Sequence, residues 1–158
     1  MKDTIIISIK PKYIEKIFSG EKRWEYRKSF PEGVKTMLLY ETAPTKKIVG
    51  IAFVEKVSRK YCANIWAMTK GYGGISMEEF MKYANNNTIC AVKMNSVWRL
   101  SEPIDLKFRP PQSYMFPTTE KHVDIVNNEI VECWSSETFD PSKINGWEFL
   151  SGEGGVTV

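Results

Sequence analysis

Strand-like segments of this chain alternate with short helical segments, without the regular βαβ spacing of a doubly wound parallel sheet. Period-two alternation, or an apolar run between turn signals, predicts strands at 5–10, 24–28, 36–41, 48–58 and 88–100. Residues 102–106 are expected to close the module against a sheet edge. The pattern favours a mixed α+β fold: a small, mostly antiparallel β-barrel of five to seven strands with short flanking helices.

Start and stop signals define the helices. Pro11 suits the first turn of a helix, and Gly20 suits the position just after its end. Ser76 and Glu79 form a capping box, which predicts a second helix at 76–84. The sequence therefore predicts helices at 11–19 and 76–84, a weaker one at 63–69, and a short one at 118–128.

Length and composition indicate one globular domain. The chain has 158 residues, of which 42% are hydrophobic, and no apolar run approaches the roughly 20 residues of a membrane span. The first residues lead straight into a strand without a signal-peptide pattern, so we expect a cytoplasmic protein with no membrane partner. Three widely spaced cysteines form no metal motif, so no metal and no cofactor is expected.

Positive charge is concentrated in the first part of the chain. Residues 1–60 hold 14 Lys/Arg and 7 Asp/Glu, whereas residues 61–158 hold 8 and 12. This asymmetry suits an anionic ligand such as a nucleotide or an RNA backbone. A solvated, lysine-rich surface is the alternative interpretation.

Residues 20–27, directly after the first predicted helix, place three charged side chains close together. Lys22 lies on the turn, where we expect it to stay solvated. On a strand, Glu25 and Arg27 would share one face, while Trp24 and Tyr26 would share the other. The aromatic pair would anchor the strand, and the carboxylate and guanidinium would form a polar site.

The pattern G-x-K-x-x-E-x-R resembles the signature of the ASCH domain, a branch of the PUA-like superfamily. Gly20, Lys22, Glu25 and Arg27 supply it here, within a similar strand–helix–strand context. The resemblance extends to about residue 106, and 109–114 also looks like a segment found downstream of some ASCH domains. It implies a PUA-like barrel at 1–106, with 107–158 as a C-terminal extension on the same domain and frayed last residues.

The resemblance implies a ligand cleft around Lys22, Glu25 and Arg27. Lys22 would contact a phosphate or a base carbonyl, or would be an ordinary surface lysine. Glu25 would accept hydrogen bonds from a base amino group, or would pair with Arg27 or Lys22. Further ligand-binding candidates beside the cleft are Ser8, Lys10 and Lys12. Candidates for wider nucleic-acid contact are Lys46, Lys47, Arg59, Lys60, Gln112 and Tyr114.

Three functions fit these residues. We expect first a module that binds RNA or a nucleotide-like ligand, so catalysis is less expected than binding. The alternatives are a hydrolase, either a ribonuclease or a modified-nucleoside amidohydrolase, using Lys22 and Glu25 in the same cleft, and a protein-interaction module of a regulator. Some ASCH relatives remove an acyl group from modified cytidine, but Glu25 stands where their nucleophilic threonine would fall. We therefore expect no acyl-cytidine hydrolysis.

Overall fold

The computed structural model describes residues 3–125 and 128–144. Its elements follow the order strand, helix, two strands after a short loop, a long strand, two helices, a second long strand and two short strands. They are β1 (Thr4–Ile9), α1 (Pro11–Ser19), β2 (Trp24–Arg27), β3 (Thr36–Glu41), β4 (Lys47–Tyr61), α2 (Cys62–Thr69), α3 (Met77–Ala84), β5 (Thr88–Ile104), β6 (Tyr114–Met115) and β7 (Ile130–Ser135), followed by a 3₁₀ turn at Pro141–Lys143.

The described strands form one seven-stranded sheet. Its order is β2-β5-β4-β3-β1-β6, and β7 pairs with β5 beside this path. Only β1 and β3 run parallel, and the other pairs are antiparallel. Register shifts between β4 and β5 near Phe53 and Val54 bend the two long strands, so the sheet curls into a half-barrel. The expected mixed, mostly antiparallel barrel-like fold is confirmed.

Helices cover two sides of the curled sheet. The α1 side chains Ile14 and Ile17 pack into a cluster of buried residues from β1, β3, β4 and β5. On the other side, α2 and α3 bury Ile65 and Phe80 against the β2 strand. One face of the β2 strand is therefore packed against α2 and α3 through Trp24 and Tyr26.

Most helix predictions are confirmed. Helices occupy Pro11–Ser19, Cys62–Thr69 and Met77–Ala84, and the Ser76 side chain accepts a hydrogen bond from the Glu79 amide. The helix predicted at 118–128 is wrong for its described part, since residues 118–125 contain no helix. Thr118 instead closes a local turn with Lys121, through both its hydroxyl and its backbone amide. Such local bonds compete with helix formation.

The chain after residue 106 contributes strands to the same sheet. β6 pairs with β1, and β7 pairs with β5. Trp134 and Phe139 pack against the two main hydrophobic clusters. The prediction of frayed last residues falls outside the described residues, as do Trp147 and Phe149.

No helix in the described ranges is both long enough and apolar enough to span a bilayer.

Candidate functional site

A cavity of about 350 Å³ opens where the end of β1, the start of α1 and the β2 strand meet α3. This volume is at the lower end of the range for small-molecule sites. Cations, carboxylates and tyrosines surround it together. The lining residues are Ser8, Ile9, Lys10, Tyr13, Lys22, Glu25, Tyr26, Arg27, Thr42, Ile75, Glu79, Tyr83 and Gln112.

The alternation of β2 orients the charged pair as expected. Trp24 and Tyr26 are buried in the cluster beneath α2 and α3, while Glu25 and Arg27 line the cavity. The Arg27 Nη2 donates to the Ser8 carbonyl at 2.7 Å, and its Nη1 donates to the Ser113 hydroxyl at 3.1 Å. The guanidinium therefore links β2 to β1 and to the segment before β6.

The Glu25 carboxylate is nearly buried, with 7% of the residue exposed. Its Oε1 accepts the Tyr26 amide at 3.0 Å and lies 3.8 Å from the Arg27 Nε. Its Oε2 is buried and has no hydrogen-bond partner among the described residues. Glu25 and Arg27 are thus not paired only with each other, because Oε1 also accepts the Tyr26 amide and Oε2 has no hydrogen-bond partner among the described residues.

Lys22 is buried rather than solvated, so that expectation was wrong. Only 1% of the residue is exposed, and its Nζ donates to the Gly73 carbonyl at 2.6 Å. The ammonium also lies 4.8 Å from the Tyr26 ring centroid and 5.4 Å from that of Tyr13. Lys22 therefore forms part of the cavity wall, held between two aromatic rings.

The loop after α2 covers Lys22, and glycines make this cover possible. A Cβ on Gly74 would lie 2.7 Å from the Lys22 Cβ, and one on Gly73 would lie 2.0 Å from the Tyr26 hydroxyl. The loop is held by its carbonyls, since Lys16 binds that of Gly74 and the Arg23 amide binds that of Tyr72. The turn at Lys22 is therefore enclosed by a segment about 50 residues further along the chain.

Burial sets the protonation behaviour of the cavity. Burial lowers the pKa of Lys22 below 10.5, while the nearby Glu25 charge raises it and the Arg27 charge lowers it further. Burial also raises the pKa values of Tyr26 and Tyr83. The tyrosine hydroxyls thus stay protonated, and the Lys22 proton is held less tightly than on a surface lysine.

The lowered pKa of Lys22 predicts a pH-dependent stability. The pKa of Lys22 is lower in the folded chain than in the unfolded chain, where it is 10.5. The contribution of such a group to folding stability is fully present when the pH is above the unfolded-state pKa, and it is lost as the pH falls through the folded-state pKa. Lys22→Met removes the titrating ammonium, and with it this pH-dependent contribution to stability, but keeps the tyrosines. Urea unfolding from pH 7 to 10 should therefore show wild type gaining stability relative to Lys22→Met as the pH rises. A pH-independent difference would contradict this prediction.

Several lining residues were not predicted from the sequence. Tyr13 comes from α1, while Glu79 and Tyr83 come from α3, and Tyr83 also accepts a hydrogen bond from the Lys28 amide. Glu79 and Tyr83 have i, i+4 spacing, which indicates one helix face. The spacing does not say what that face meets, so only the tertiary structure reveals this part of the cavity.

The structure separates the other predicted site residues into two groups. Ser8, Lys10 and Gln112 line the cavity together with the motif. The remaining candidates are not among the lining residues of the cavity. Lys12 forms a 3.9 Å ion pair with Glu79, and Lys47 forms one with Asp105 at 3.5 Å. Lys46 lies in the turn before β4, Arg59 and Lys60 are exposed at the end of β4, and Tyr114 packs on Phe30.

A metal centre finds no support in residues 3–125 and 128–144. No group of three or more His, Cys, Asp or Glu side chains there is placed to hold an ion.

Known proteins are similar to this chain in sequence and in fold. The model of the ASCH domain matches residues 7–140. An ASCH domain-containing ribonuclease of Zymomonas mobilis is 23% identical over 132 residues, which cover 77% of this chain and 89% of that protein. The crystal structure of ASCH from Zymomonas mobilis has a TM-score of 0.69 at 23% identity, covering 76% of this chain and 91% of that chain.

A ribosomal protein shows a partial similarity. The large ribosomal subunit protein uL22 of Ureaplasma parvum is 31% identical over 107 residues, or 66% of this chain. These residues span about a third, 34%, of that protein. The ASCH family model matches most of the length of the present chain, including the G-x-K-x-x-E-x-R segment. This chain therefore belongs to the ASCH domain family.

Proposed function

We propose that the cavity binds one nucleotide unit of single-stranded RNA, or a free nucleotide. The observation that carries the proposal is the meeting of three cations, Lys10, Lys22 and Arg27, with tyrosine rings in one cavity. Cations bind phosphate, and aromatic faces stack on unpaired bases. A cavity of about 350 Å³ limits the ligand to a single unit rather than a duplex.

Three further observations support an RNA-like ligand. The first 60 residues, which supply most of the cavity, carry the positive excess of the chain. The Zymomonas mobilis relative is named a ribonuclease. Tyr83 lines the cavity and is partly exposed, with the Lys28 ammonium 5.2 Å from its ring centroid.

The proposal predicts a salt-dependent affinity in which Arg27 takes part. Titration of a fluorescent single-stranded RNA at two salt concentrations should give a negative slope of log affinity against log salt. Arg27→Gln removes one phosphate-binding cation, so the slope should become less negative by about 0.7. Affinity at low salt should fall about tenfold.

A charge-matched control distinguishes this contact from a general effect of net charge. Lys35 is exposed directly before β3, at the opposite end of β1 from the cavity and roughly 16 Å from Ser8 along the strands. Lys35→Gln should leave both affinity and slope unchanged. Equal affinities and salt slopes for the two variants would show that Arg27 does not contact the ligand. The absence of RNA binding by wild type would overturn the proposal.

A hydrolase remains the second candidate, favoured by the environment of Lys22. A buried lysine with a lowered pKa can exchange a proton nearer to neutral pH than a surface lysine. With Glu25 in place of a hydroxyl nucleophile, RNA cleavage fits the cavity better than acyl transfer. Cleavage of single-stranded RNA by wild type that disappears in Lys22→Met would favour this candidate over simple binding.

A further inference from the structure

We propose that Glu25 makes the cavity selective for bases that present an exocyclic amino group, such as cytosine and adenine, over bases with a carbonyl at that position. This inference rests on the proposed nucleotide binding and adds the class of base. Its starting point is one atom, the Glu25 Oε2. That oxygen is buried at a cavity-lining residue and has no hydrogen-bond partner among the described residues.

An unpartnered buried carboxylate oxygen calls for a donor. Leaving such an acceptor unsatisfied is unfavourable, most of all when the group is charged. None of the hydrogen bonds made by the neighbouring donors reaches Oε2, because Lys22 binds the Gly73 carbonyl, and Arg27 binds the Ser8 carbonyl and the Ser113 hydroxyl. A ligand N–H is therefore the group that Oε2 best accommodates.

The surrounding charges narrow the choice of base. A ring nitrogen or carbonyl beside the amino group would face the Lys22 ammonium, which lines the same cavity and has N–H groups beyond the one bound to Gly73. Cytosine and adenine carry an amino group next to a ring acceptor, whereas uracil and hypoxanthine present a carbonyl in place of that amino group. A carbonyl facing Oε2 would set two acceptors against each other.

The orientation of Glu25 is fixed, which makes the carboxamide variant informative. Its Oε1 accepts the Tyr26 amide at 3.0 Å. In Glu25→Gln only the amide oxygen can accept that bond, so the NH₂ group must take the place of Oε2. The variant thus turns the free acceptor into a donor with little change in shape, and the preference should move toward bases with a carbonyl.

The test measures binding of two matched nucleotide pairs, CMP with UMP and AMP with IMP, by calorimetry. Wild type should prefer CMP and AMP by about tenfold or more, and Glu25→Gln should lose or reverse the preference in both pairs. Equal affinities within each pair for wild type would overturn this inference and leave nucleotide binding intact. An unchanged preference in folded Glu25→Gln would overturn it as well. No binding of any of the four nucleotides would instead overturn the proposed function.

Discussion

Lys22→Met is expected to weaken RNA binding by about 10-fold to 100-fold while changing the stability of the fold little. The loss of affinity follows from removing a cavity cation held in a low-dielectric wall, where charge-assisted contacts contribute about 1–3 kcal/mol. Two opposing effects limit the change in stability. Methionine avoids burying a cation, but it leaves the Gly73 carbonyl without its 2.6 Å partner.

Lys16→Met is the matched control for this variant. Lys16 donates to the Gly74 carbonyl of the same loop at 2.9 Å, yet it is not among the cavity-lining residues. Lys16→Met removes the same charge and a comparable bond, so the affinity of this variant for RNA should stay within about threefold of wild type at equal salt, because Lys16 makes no direct contact with the proposed ligand. Equal losses of affinity in the two variants would show that the loop, rather than the Lys22 charge, is responsible.

Gly73→Ala is expected to destabilise the fold by about 1–3 kcal/mol and to weaken binding. The new Cβ would lie 2.0 Å from the Tyr26 hydroxyl and 2.9 Å from two ring carbons. The Tyr26 ring cannot retreat easily, because its hydroxyl is 2.6 Å from the Thr69 hydroxyl and its ring packs on Phe80. The loop must therefore shift, and the Lys22 bond to Gly73 shifts with it. Urea unfolding and RNA titration measure both effects.

Two variants check this explanation. Tyr26→Phe removes the hydroxyl nearest to the new Cβ. The double variant Gly73→Ala/Tyr26→Phe should therefore lose less free energy of unfolding than the sum of the losses in the two single variants. Gly71→Ala meets no atom within 4 Å but forces a side chain into φ +94°. It should cost stability through backbone strain alone and leave RNA binding unchanged. Strict additivity of Gly73→Ala with Tyr26→Phe would contradict the predicted clash.

Local signals in the sequence predicted the main elements. Gly20 ends α1 with φ +82°, Ser76 caps α3, and the alternation of β2 places Tyr26 in the core beside a cavity-facing Glu25. These outcomes depend on residues close together in the chain. For the same reason, the strand and helix bounds were mostly predicted to within a few residues.

The features that were wrongly predicted or missed from the sequence depend on contacts between residues far apart in the chain. Lys22 was expected to be solvated, and it is buried because Gly73 and Gly74 lie over it. The strand predicted at 88–100 and the segment 102–106, expected at a sheet edge, form one continuous strand as far as Ile104, which pairs with Ile48 of β4. No spacing around residues 20–27 indicates that α3 brings Tyr83 to the same cavity. Tertiary packing decides all three, and one sequence does not contain that information locally.

A protein-interaction role of the C-terminal segment cannot be tested by deleting that segment, because β7 belongs to the sheet. Deleting residues 129–158 would remove a strand that pairs with β5, together with Trp134, whose indole N–H donates to the Ile17 carbonyl at 2.7 Å. Such a deletion would disturb α1 and the cavity. Substitutions on the exposed face of β7, such as Val131→Ser, are the better test, since Val131 is exposed and the sheet would remain intact.

The most direct test of nucleotide binding in this cavity is a ¹⁵N NMR titration with a single-stranded RNA hexamer of mixed sequence. Backbone amide signals of Tyr26, Arg27, Ile75 and Tyr83 should shift together and saturate with one affinity, because these residues line the cavity. The signals of Arg59 and Lys60, at the exposed end of β4, should change little. Shifts confined to Arg59 and Lys60, with the cavity signals unmoved, would contradict the proposed site.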